Sequence, residues 1–107
     1  MEIQINTDNT IDATAAQTGE IEAAVRDGLS RFASRLTRVE VHFADENGPG
    51  SGIDDKRCMI EVRPAGQGPV AVTDQGGSMD QATSGALAKM TTALERTFGR
   101  QTDRKGH

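Results

Sequence analysis

The chain has 107 residues, one cysteine, three Phe, no Trp and no Tyr, and a formal net charge of -4, a size that supports one hydrophobic core without a disulfide or metal staple. No apolar run approaches the roughly 18 residues a spanning helix needs, and Met1-Glu2-Ile3-Gln4 lacks the basic-then-apolar order of a secretory signal, so a soluble, cytoplasmic protein without a membrane partner is expected. The scarcity of aromatics excludes a platform for stacking single-stranded bases, and the net charge alone argues against a polyanionic partner.

Glu2-Ile3-Gln4-Ile5-Asn6 alternates polar and apolar residues, the pattern of a strand with one buried face, and Thr7-Asp8-Asn9 breaks it. Thr18 is placed to cap a helix with Glu20 and Glu22 in its first turn, where the dipole favours acids. Ile21, Val25, Leu29, Phe32 and Leu36 then recur at spacings of three and four, one apolar stripe. Period two returns from Arg38 to Phe43, with Val39, Val41 and Phe43 on one side and Arg38, Glu40 and His42 on the other. The stretch from Ala44 to Asp55, containing Asn47-Gly48-Pro49-Gly50-Ser51-Gly52, is too long for a tight hairpin and too polar to bury, and predicts a mobile connection.

Arg57 to Arg63 predicts a third strand with Cys58, Ile60 and Val62 inward. A fourth begins at Pro69, carries Val70 and Val72, and ends at Gly76-Gly77. Ser78-Met79-Asp80-Gln81 fits a capping box. The helix it opens is expected to run to Thr97 or Phe98, with Gly99 as its stop and Met79, Ala86, Met90, Ala93, Leu94 and Thr97 inward. Residues 1–100 are expected to form one domain and 101–107 a polar, flexible tail.

Strand, helix, three strands, helix, with one apolar face per strand, predicts a two-layer α+β domain: a four-stranded sheet, two helices on one face and the other face wet. The first two strands should pair in parallel through a right-handed crossover, and strands two to four should meander.

Chemistry is sparse. There is no nucleophile elbow, and His42, the sole histidine outside the tail, lies on the solvent side of its strand. The Gly-rich stretch 48–52 is followed by no Gly-Lys-Ser/Thr, and Asp45, Glu46, Asn47, Asp54 and Asp55 do not match a calcium loop. Cys58 reads as a buried core thiol. Neither enzymatic activity nor a metal or cofactor is expected.

Charge location is more informative than its sum. Residues 1–25 carry Glu2, Asp8, Asp12, Glu20 and Glu22 and no Lys or Arg, while residues 78–107 hold five basic and three acidic groups. On the last helix Lys89, Arg96 and Arg100 fall within about 40° of one another at about 100° per residue. Such a row is often only solubilising charge. Its functional reading is phosphate neutralisation, which Arg104 and Lys105 could join and which Arg31 and Arg35 on helix one could extend. Asp27, four residues before Arg31, could instead consume that charge in an ion pair.

The order of elements, with Ile3-Gln4-Ile5, Thr18 to Leu36, Val39 to Phe43, Cys58 to Val62, and above all Met79, Ala82, Lys89, Leu94, Arg96 and Arg100 within Val70 to Arg100, resembles the ribosome hibernation-promoting factor family, also described as ribosome-associated inhibitor or sigma-modulation proteins. At this length a short form, without the C-terminal dimerisation domain of the long ones, is expected. The resemblance implies the double-stranded-RNA-binding-like βαβββα fold. It also implies occupancy of the mRNA/tRNA channel of the small ribosomal subunit through rRNA contacts by Lys89, Arg96, Arg100, Arg31 and Arg35, with no DNA partner. The competing expectation is a protein-interaction module of the same fold whose acidic N-terminal third meets a basic protein partner.

Overall fold

The computed structural model describes residues 1–8, 14–45 and 56–105, without the side chains of residues 100–105. Four strands form one sheet: β1 (Glu2–Thr7), β2 (Leu36–Asp45), β3 (Lys56–Pro64) and β4 (Val70–Gly76), in spatial order β1-β2-β3-β4. Two α-helices, α1 (Ala15–Gly28) and α2 (Met79–Lys105), cover one face, and a short 3₁₀ helix, Ser30–Arg35, links α1 to β2. β1 and β2 run parallel, Ile3 opposite Val39 and Ile5 opposite Val41, while β2, β3 and β4 meander antiparallel. This is the expected α+β architecture.

Register explains the burial. Val39 faces Val62, Val41 faces Ile60 and Phe43 faces Cys58, so the branched and aromatic residues stack in rows under the helices. Ile21 and Val25 of α1, Leu29 and Phe32 beyond it, and Met79, Ala82, Ala86, Met90, Leu94 and Phe98 of α2 close the core from above. The opposite sheet face carries Gln4, Arg38, Glu40, His42, Arg57, Glu61 and Arg63, none of them buried. One dry face and one wet face are what alternation on antiparallel strands produces.

The helix boundaries differ from the sequence expectation in three places. First, α1 starts one turn earlier: Thr14, not Thr18, is the cap, its hydroxyl accepting from the Gln17 N–H at 3.1 Å while Gln17 Oε1 accepts from the Thr14 N–H at 3.0 Å. The Thr18 hydroxyl merely donates back to the Thr14 carbonyl. Second, α1 ends at Gly28, so the stripe through Leu29, Phe32 and Leu36 continues on a C-cap residue, a 3₁₀ helix and the first residue of β2. Third, α2 passes Gly99 and continues to Lys105. Among the described residues the glycine with positive φ is Gly66, in the β3–β4 turn, so Gly99 does not adopt the left-handed geometry of a helix stop.

The start of α2 is tightly built. The Ser78 hydroxyl accepts from the Gln81 N–H at 3.1 Å, and Gln81 Oε1 accepts from the Gly77 N–H at 2.9 Å. Gly76 lies so close beneath that a Cβ there would meet the Ala82 amide nitrogen and Gln81 Cβ at 2.8 Å. The Gly-rich stretch 48–52 and acidic residues 46, 54 and 55 lie outside the described residues. Asp45, at their edge, pairs with Lys56 at 3.7 Å.

Candidate nucleic-acid interface

Because α2 is one unbroken helix, Lys89, Arg96 and the backbone position of Arg100 share a row about 16 Å long, at 1.5 Å rise per residue. Lys89 and Arg96 are exposed. Lys89 leans toward β4, where its ammonium donates to the Thr73 carbonyl at 2.8 Å and lies 3.4 Å from Asp74 Oδ1. That contact is more than half exposed on the lysine side, where an ion pair holds its partner weakly.

Asp74 reaches this position because Gly85 has no side chain: a Cβ there would stand 1.8 Å from Asp74 Oδ2. The same carboxylate acts on Cys58. That thiol is fully buried beneath α2. Burial pushes its pKa up to about 11, Asp74 adds to the rise, and a hydrogen bond with Thr83 opposes it. The thiolate is thus suppressed and Cys58 serves as a packing group.

Arg31 and Arg35 stand on the 3₁₀ helix rather than on helix one. The chain's turn there places both against the C-terminal half of α2. The Arg31 guanidinium lies 4.7 Å above the Phe32 ring and that of Arg35 lies 3.8 Å above the Phe98 ring. The two rings contact each other with centroids 5.7 Å apart. Two cations are therefore carried by an aromatic pair at the seam between the 3₁₀ helix and α2, an arrangement that favours Arg through its planar, weakly hydrated head. Arg31 also forms an ion pair with Glu95 of α2, rather than with Asp27 as the four-residue spacing allowed, since the end of α1 at Gly28 breaks their one-turn relation.

The structure thus brings Arg31 and Arg35 to the α2 side of the molecule and sets Lys89 and Arg96 along that helix. Sequence reasoning missed Phe32 and Phe98 as the support under the two arginines, and Asp74 and Glu95 as carboxylate partners of Lys89 and Arg31. Glu95 is 64 residues from Arg31, and no local pattern links them. On the opposite face His42 sits 3.8 Å from Glu40, which also lies 3.7 Å from Arg38. Among the described residues no three His, Cys, Asp or Glu side chains converge as metal ligands, and no helix is long and apolar enough to cross a membrane.

A βαβββα sheet-and-helix domain with a basic row on its long helix is the class these features define. Residues 3–102 match the family described as sigma 54 modulation protein / S30EA ribosomal protein, and the chain belongs to that family. Among solved structures it is similar to the N-terminal domain of Protein Y from Thermus thermophilus, at 20% identity and a TM-score of 0.71, over 91% of this chain and 99% of that one. It is also similar to a ribosomal subunit interface protein from Coxiella burnetii, at 16% identity and a TM-score of 0.72, over 92% and 99% of the two chains. Comparison with curated proteins gives no match.

Proposed function

We propose that this protein binds the small ribosomal subunit and inhibits translation by occupying the channel that mRNA and tRNA would use, with Lys89, Arg96 and Arg100 contacting rRNA phosphates and Arg31 and Arg35 widening the surface. Family membership supports ribosome association, and one of its structural neighbours is itself described as a ribosomal subunit interface protein. The observation that carries the reading is the placement of Arg31 and Arg35, over the mutually tilted Phe32 and Phe98 rings, against the helix that holds the basic row. Folded RNA is recognised by shape and phosphate contacts, a task that needs no stacking aromatics at the surface.

Co-sedimentation with small subunits across a salt series tests it. About three phosphate contacts give a slope of log affinity against log salt near -2 to -3. Lys89→Glu with Arg96→Glu should release the protein while leaving its thermal transition nearly unchanged, since exposed charges contribute little to stability. Absence of co-sedimentation at low salt would remove this function and leave the acidic N-terminal third, with Glu2 and Glu20 exposed, as the surface for a basic protein partner.

A further inference from the structure

Glu95 interrupts the basic character of α2 between Lys89 and Arg100, and its carboxylate is held by Arg31 across the seam. Both side chains are more than half exposed. An ion pair in that setting adds little to fold stability and exchanges readily with other ions. The core beneath it is supplied by Phe32, Leu94 and Phe98, all buried. Packing therefore does not need the pair.

We infer that Glu95 is an internal stand-in for a phosphate: in the free protein it occupies the Arg31 guanidinium, and on docking it yields that guanidinium to an RNA phosphodiester. The inference rests on the ribosome reading above only for the identity of the polyanion. Carboxylate and phosphate present the same kind of paired acceptor oxygens to the guanidinium fork, so one can replace the other without a change in geometry at the arginine. Stacking on Phe32 keeps Arg31 in place during the exchange, which lowers the entropy lost when the phosphate arrives. The displaced Glu95 is then left beside the RNA, one residue before Arg96, and opposes binding.

The consequence is a built-in brake on affinity. Asp74 does not act in the same way, because its carboxylate is seated against Gly85 and is less exposed than Glu95.

Two probes separate this inference from the reading it rests on: small subunits in a sedimentation assay, and immobilised heparin as a ribosome-independent polyanion. Four proteins are compared: wild type, Glu95→Gln, Arg31→Gln and the double variant, with Asp80→Asn, in the first turn of α2, as a control for simple loss of negative charge. Glu95→Gln should bind about 3- to 5-fold tighter, the range expected for releasing an exposed ion pair, and elute later from heparin. The gain should fall below about 2-fold in the Arg31→Gln background, and Asp80→Asn should give no more than that. An equal gain with and without Arg31, or no gain on either probe, overturns the exchange and leaves the ribosome reading standing. An Arg31-dependent shift on heparin without any sedimentation supports the exchange and removes the ribosome as the polyanion.

Discussion

Cys58 shows how one residue's surroundings set its chemistry. The thiol ordinarily titrates near 9.0 and here is pushed to about 11, chiefly by burial. Between those values the unfolded chain releases a proton that the folded chain retains, so the unfolded state binds fewer protons and stability falls as pH rises. The effect is absent below about pH 8 and complete above about pH 11, and a two-unit difference corresponds to roughly 2–3 kcal/mol. Denaturation of wild type and Cys58→Ala from pH 7 to 11 should show the variant less stable at pH 7, from the lost packing, but with a shallower alkaline decline. Parallel declines would contradict a suppressed thiolate. Burial of this cysteine was legible in the alternation of β3. The part played by Asp74 and Thr83 was not, because Asp74 comes opposite Cys58 only once the register of the β3–β4 hairpin is set, and Thr83 approaches from α2.

Strands were easier to read than helix ends, for a physical reason. From Val39 to Phe43 in β2 and from Cys58 to Pro64 in β3 every second residue is buried, and a period of two has a single solution. The stripe Ile21, Val25, Leu29, Phe32, Leu36 has several, since α-helix, 3₁₀ helix and a strand's first residue can each keep those side chains inward. Thr14-Ala15-Ala16-Gln17 carries the same capping signature as Ser78 to Gln81, yet Thr18 next to two acids gave a competing local signal. At the β4–α2 junction the constraint is on the backbone. Gly76→Ala would push a Cβ into the amide nitrogen of Ala82 and the backbone of Gln81. The fixed first turn of α2 cannot move aside cheaply, so a loss of about 1–3 kcal/mol is expected in chemical denaturation. Gly19→Ala, where a Cβ meets nothing within 4 Å in the middle of α1, is the matching control and should stabilise by up to about 1 kcal/mol.

Across the whole molecule the charges are separated rather than scarce. The -4 total combines residues 1–25, which carry no Lys or Arg, with a C-terminal helix of local positive excess. The cations of the candidate interface were legible as positions on a helix. Their surroundings were not, because the partners come from β4 and from the far side of the helix–3₁₀ seam. Such a charge distribution steers as well as binds: a polyanion attracts the α2 side and repels the acidic part, so approach is orientation-dependent. Neutralising exposed acids remote from the basic row, Glu2→Gln with Glu20→Gln, should raise the association rate for small subunits about 2- to 3-fold at low salt and leave the dissociation rate unchanged. The difference should vanish near 0.5 M salt, where screening acts within about 4–5 Å. Stopped-flow association with a labelled protein measures both rates. A change in dissociation instead of association would mean that Glu2 or Glu20 itself lies in the contact, which the proposed docking through α2, Arg31 and Arg35 does not include.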